Sequence, residues 1–170
     1  MNILRPQDIY VLLALVANHE RKEWTYDRLA DEVGLSTSQV FRSLKRAESS
    51  HLFDKQMRRV RTLELLEFLG HGIRYAFAAT PGRIQRGFPT CWEAPGLEEK
   101  MSATGDERFV WAAPNGTVRG QVIEPLHMAS LAVIGENKSL YQLLGLTDIL
   151  RVGSARERKV AAKVLAEMLR

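Results

Sequence analysis

Near the start of the chain apolar residues recur with a helical period: after Pro6, which suits the first turn of a helix, Ile9, Leu12, Leu13 and Val16 stand at i, i+3, i+4 and i+7. The spacing predicts an amphipathic helix from about Pro6 to His19. The polar run HERKEW, residues 19–24, reads as a loop. Thr25 is placed to cap a short helix ending at Val33, with Tyr26, Leu29, Ala30 and Val33 inward. Gly34 supplies the positive φ that stops it. Ser36 then caps the next helix, and Gln39 three residues on completes a capping box. That helix is expected over Ser36–Leu52, with Val40, Leu44 and Ala47 as its buried stripe and Phe41 joining on its flank.

The pattern then changes. Between Phe53 and the apolar segment that begins at Leu63 there is room for a very short hairpin at most. From Thr62 to about Gly72 the spacing of Leu63, Leu66, Phe68, Leu69 and Ile73 predicts a helix. The segment YAFAATPGRIQRGFPTCWEAPGL is rich in glycine and proline and reads as a strand, a turn around PGRIQRG, and an extended loop. Two β runs, Phe109 to Ala112 and Thr117 to Ile123, flank Asn115-Gly116, a dipeptide suited to a hairpin turn. Trp111 on this hairpin is assigned to the core, and Pro125 ends the second strand. ENKSLYQLLGLTDIL is helical, with Leu140, Leu143, Leu144 and Ile149 inward. Gly153 and Ser154 make a break and a cap before a last helix with Val160, Val164, Leu165 and Met168 as its apolar side. The expected fold is mainly α with a small β component (α+β): an N-terminal three-helix domain over 1–60 with a reduced wing, then a region over 61–170 containing a β-hairpin and C-terminal helices. No repeat or disordered linker separates them, so the second half should pack closely on the first.

Composition adds less than charge placement. The 170 residues are 45% hydrophobic and 26% charged, as in an ordinary globular protein. No apolar run reaches the ~18 residues of a membrane span and the amino terminus lacks a signal-peptide pattern, so a cytoplasmic protein is expected. The single cysteine, Cys91, and the histidines at 19, 51, 71 and 127 show no metal-ligand spacing, and no metal or cofactor is expected. The net charge of +4 is concentrated: Arg42 to Arg61 contains seven bases and two acids, leaving −1 for the rest of the chain. A basic patch within and after the proposed second short helix is where phosphates would lie.

The stretch DRLADEVGLSTSQVFRSLKRAE, with Ala30 where closely crossing helices need a small side chain, Gly34 four later in the turn and Val40 six after that, resembles the helix-turn-helix of bacterial winged-helix regulators such as the MarR and GntR groups. The resemblance covers roughly residues 6 to 60. It implies a double-stranded DNA-binding transcriptional regulator, homodimeric on a pseudo-palindromic site, with the second helix in the major groove. The side chains opposite the Val40/Leu44 stripe are then Thr37, Ser38, Gln39, Arg42, Lys45 and Arg46. Gln39 offers a fork for adenine and Arg42 one for guanine. Ser36 and Thr37, at the positive end of the helix, suit a phosphate. Lys55, Arg58, Arg59 and Arg61 would line the backbone from the short hairpin or the turn after it. Arg83 and Arg86 read as an exposed basic loop beside DNA, since no phosphate-binding loop motif accompanies them. The last two helices offer the apolar faces for a dimer.

The rival class is an adaptor or antitoxin-like subunit, in which the same domain or the acidic central region holds a protein partner. Catalysis has little to stand on. Glu67 and His71 at i, i+4 read as a surface pair, and Cys91 beside Trp92 as a small buried hydrophobe. A redox role for Cys91 would require a depressed thiol pKa.

Overall fold

The computed structural model describes residues 2–18, 23–101 and 105–170. Expectations for His19 and for most of the loop at 19–24 lie outside the described residues. The chain is mainly helical with a small sheet component.

Three helices open it: α1 (Pro6–Ala17), α2 (Tyr26–Val33) and α3 (Thr37–Ser49). Their ends follow local chemistry. Thr25 accepts the Arg28 N–H, Gly34 closes α2 at φ +69°, and Ser36 and Gln39 exchange the two hydrogen bonds of a capping box. α3 ends three residues short of Leu52 because His51 turns to φ +60°. A hairpin of two two-residue strands follows, β1 (Phe53–Asp54) and β2 (Arg59–Val60), with Phe53 opposite Val60. α1 is not amphipathic: Asp8 through Ala14 are all buried, because α2 and α3 cover one side and the C-terminal half of the chain covers the other.

Next come α4 (Thr62–His71) and the one-turn α5 (Ile73–Ala76). The inward stripe of this pair is Leu65, Leu69 and Ile73, while Leu63 is 77% exposed, so the expected register is shifted. A larger correction concerns the following segment. Ile84 to Gly87 of the segment read as a turn belong to the strand β3 (Ile84–Pro89), and of the run read as a strand Tyr75 and Ala76 end α5 while residues 77–80 form neither helix nor strand. β3 is shared between two partners: its second half pairs antiparallel with β4 (Phe109–Ala112), its first half with β5 (Val118–Val122). β4 and β5 then meet in parallel, Phe109 against Gln121, and the three strands close into a small barrel.

The Asn115-Gly116 hairpin is therefore not formed, although both of its strands exist. Neither residue takes the positive φ that a two-residue hairpin turn requires. The connection instead crosses over Gly87, the register partner of both Ala112 and Val118. Only glycine permits this crossing: a Cβ on Gly87 would stand 2.2 Å from the Trp111 carbonyl oxygen, and one on Gly116 2.3 Å from Gly87 Cα. The glycines that suggested a turn are thus required by a close strand crossing.

A short 3-10 turn (Cys91–Glu93), a one-turn helix α6 (Ser130–Val133) and the two long helices α7 (Lys138–Val152) and α8 (Ala155–Met168) complete the chain. Asn137 caps α7, and Ser154 with Glu157 forms a capping box on α8. α7 is the central post. Leu140 and Tyr141 are buried, as is every residue from Leu143 to Arg151, and the helix packs on α1, α5, α8 and the Cys91–Glu93 turn. It therefore has no free apolar face for a dimer. α8 buries Ala161, Val164 and Leu165 and leaves Val160 exposed, so the expected apolar side is rotated by one residue.

A buried polar network fixes the barrel to α7. Asp148 Oδ2 accepts from Thr90 Oγ1 at 2.7 Å and from Trp111 Nε1 at 2.8 Å, and its Oδ1 accepts from Arg151 at 2.9 Å. Arg151 also donates to the carbonyls of Phe77 and Glu124, so each buried group is satisfied. Trp111 is in the core, its ring stacked on Tyr141. One apolar cluster runs without interruption from α1–α3 through α4 to α7 and α8.

Candidate nucleic-acid interface

The outward side of α3 is set by what its inward side buries. Val40, Ser43, Leu44 and Ala47 face α1 and α2. The opposite rows carry Ser38, Arg42 and Lys45, all exposed, together with Thr37 and Phe41. Phe41 is 47% exposed and leans on Tyr26, at a ring separation of 5.7 Å, rather than joining the core. Helical spacing held this signal, since Phe41 lies midway between Thr37 and Lys45 at i, i+4 intervals. An aromatic ring in this place can meet the methyl group of thymine.

Two of the hydroxyls at the start of α3 are already engaged. Ser36 Oγ accepts the Gln39 N–H, and Thr37 Oγ1 donates to Asp27 Oδ1 at 2.7 Å. Gln39 Oε1 accepts the Ser36 N–H, which leaves its amide nitrogen as the group that can reach a base.

Arg46 is the site residue that the structure withdraws. Its guanidinium turns inward and donates to both oxygens of Asp8, at 2.7, 2.9 and 3.2 Å, and Asp8 also accepts the Arg5 N–H. Asp8 is fully buried and the Arg46 side chain only 11% exposed. The pair locks α3 onto the first turn of α1, and Ser43 beside it accepts from Gln7. Charge counting along the chain assigned Arg46 to the surface, whereas its place beside Ser43 turns it toward the core.

The hairpin bases divide by what they touch. Arg58 stacks over the Trp24 ring at 4.3 Å, lies 5.7 Å from the Tyr26 ring and donates to the Trp24 carbonyl, while Trp24 Nε1 donates to the Arg58 carbonyl. With Trp24 packed edge-on against Phe53, these contacts fasten the hairpin to the start of α2. Arg61 has Asp54 and Glu64 each at 3.9 Å, an exposed and weak pairing. Lys55 and Arg59 are exposed, with no ion pair among the described residues. Behind the hairpin lies a cavity of 860 Å³ whose charged lining mixes Arg28, Arg58, Arg59, Arg61 and Arg170 with Glu32, Asp54 and Glu64.

The remaining candidates separate from this surface. Cys91 is fully buried, and burial, reinforced by the charges of Asp148 and Glu157, pushes its thiol well above the usual range. That is the reverse of what redox sensing requires. Among the described residues no group of histidine, cysteine and acidic side chains is placed to hold a metal. Nor is any described helix long and apolar enough to cross a membrane. No family model, no curated protein and no solved structure matches the chain.

Proposed function

We propose that the chain binds double-stranded DNA sequence-specifically and acts as a transcriptional regulator. In this reading α2 and α3 are a helix-turn-helix, α3 enters the major groove, and β1–β2 is a reduced wing. The observation that carries it is the outward surface of α3, where Ser38, Phe41, Arg42 and Lys45 stand exposed on a helix whose other side is fixed in the core. Lys55, Arg58, Arg59 and Arg61 extend the basic surface from the hairpin. Arg42 is the guanine-reading candidate, and Phe41 joins the set as an apolar contact. A protein-docking role is the second reading, favoured by the exposed side chains of Phe41, Met57 and Leu63.

The test is binding to labelled duplex DNA across a salt series, with selection from random sequences. Six exposed bases from Arg42 to Arg61, Arg46 excluded, give a slope of log K against log salt of about −5 if each meets one phosphate. Affinity then drops about a thousandfold over a fourfold rise in salt. Arg42→Ala should cost about 1–3 kcal/mol and relax preference at one base pair. Absence of binding near physiological salt, or an Arg42→Ala variant with unchanged affinity and preference, overturns the proposal.

A further inference from the structure

The barrel carries an arrangement that the fold does not need. β3, β4 and β5 contain no aspartate or glutamate, and their only charged residues are Arg86 and Arg119. In the antiparallel β3/β5 pair these two stand directly opposite each other. Directly opposed residues put their side chains on one face, about 5 Å apart at Cβ, where like charges are destabilising. Both arginines are exposed. Among the described residues no carboxylate pairs with either of them or with Arg83, which is exposed just before β3. Arg86 has one long contact, 3.4 Å to the Gly116 carbonyl, and this leaves its charge uncompensated.

The surroundings reinforce the point. From Phe68 to Trp92 the sequence has no acidic residue, and from Phe109 to Ile123 it has none either. Of the acids in between, Glu93 pairs with Arg108 at 2.9 Å and Glu98 accepts the Gly96 N–H. A cross-strand arginine pair without an internal counter-charge is relieved by an external anion. The planar guanidinium fork suits the oxygens of a phosphate.

We propose that Arg86 and Arg119 form a second phosphate-backbone contact for duplex DNA, apart from α3 and the hairpin. This rests on the DNA-binding reading above. The contact is sequence-independent and adds affinity and salt dependence while leaving base preference to α3.

The deciding experiment measures duplex affinity across the salt series for the full chain and for the Arg86→Gln/Arg119→Gln, Arg119→Glu and Arg42→Ala variants, with thermal unfolding of each. Replacing both arginines should reduce the slope of log K against log salt by about 2 and leave the selected sequence unchanged. Arg119→Glu is the sharper probe, because a glutamate opposite Arg86 completes a cross-strand ion pair. It should raise the melting temperature while lowering DNA affinity, two effects that a purely structural role would not join. If wild type binds DNA and both barrel variants keep its slope and affinity, the second contact is refuted and the α3 reading stands. If wild type binds no duplex, the DNA reading fails and this inference fails with it.

Discussion

Arg42 and Arg46 lie one turn apart on the same helix, and the structure gives them opposite work. The sharpest check is on Arg46. Arg46→Met keeps most of the side-chain length and removes the three N–H bonds to Asp8. Asp8 is then left fully buried with the Arg5 N–H as its remaining hydrogen-bond donor among the described residues. Removing one partner of a buried pair costs about 3–5 kcal/mol. The low end, about 3 kcal/mol, applies because the outer edge of Arg46 reaches solvent and the Arg5 N–H persists. Against a total stability of about 5–15 kcal/mol that is a large fraction, and for a chain of this size it lowers the melting temperature by about 6–12 °C. The double variant Asp8→Leu/Arg46→Met removes both charges and should regain most of the loss. Urea unfolding of wild type, the two single variants and the double supplies the cycle, read from midpoints at constant m. A single variant within about 0.5 kcal/mol of wild type refutes the buried-pair argument, as does a double no more stable than the worse single. DNA binding adds an independent arm. At a temperature where Arg46→Met is folded, its salt slope should equal that of wild type, whereas Arg42→Ala should lower it by about 1. A stable Arg46→Met variant with a reduced slope would mean that the guanidinium swings out to a phosphate, and the assignment would be wrong.

Other consequences follow from individual contacts. Gly87→Ala places a Cβ 2.2 Å from the Trp111 carbonyl oxygen and should destabilise the fold by about 3 kcal/mol, visible in denaturant midpoints; a loss below about 1 kcal/mol would mean the strands part easily at that crossing. His127, stacked on Tyr10 and accepting the Ala129 N–H at Nδ1, has its pKa lowered below 6.5 by burial. The unfolded chain therefore takes up a proton at this site at higher pH than the native state does. Stability falls as pH drops from 6.5 toward the native pKa, and His127→Gln should flatten that part of the profile. NMR titration showing His127 at or above 6.5 would contradict this. Cys91, buried with a raised thiol, should react with alkylating reagents only through unfolding, so that its labelling rate tracks denaturant; fast labelling of the native protein is the opposing result.

Local signals in the sequence carried the helical parts. Caps at Thr25, Ser36 and Ser154 and the stop at Gly34 stand where the residue types put them, because each acts through hydrogen bonds or backbone freedom within a few residues. What was not legible depended on distant partners. PGRIQRG has the composition of a turn, yet Ile84 to Pro89 is a strand because two other strands, β4 and β5, use its two halves. Asn115-Gly116 has the residues of a hairpin but serves a crossing instead, and nothing in the dipeptide distinguishes the two uses. The exposure of Arg42, Lys45 and the hairpin bases was legible. Phe41, read as a flank of the core, is exposed, as its helical row between Thr37 and Lys45 indicates.

Charge placement has a similar limit, and the arginines make it concrete. Arg46 lies in the most basic stretch of the chain and faces inward to a carboxylate 38 residues earlier. Arg119 stands alone in a stretch with few charges and is exposed opposite Arg86, with no carboxylate on any barrel strand. A count along the chain ranks the first as a phosphate ligand and passes over the second. The fold reverses that order, because a charge already matched to a buried partner contributes little to the external field, whereas two matched to each other in sign project it. Under the proposed DNA reading, which bases are free for phosphate is accordingly decided by the acids that the fold withholds from them, and pairing Arg119→Glu with Arg46→Met tests both halves of that statement in one set of proteins.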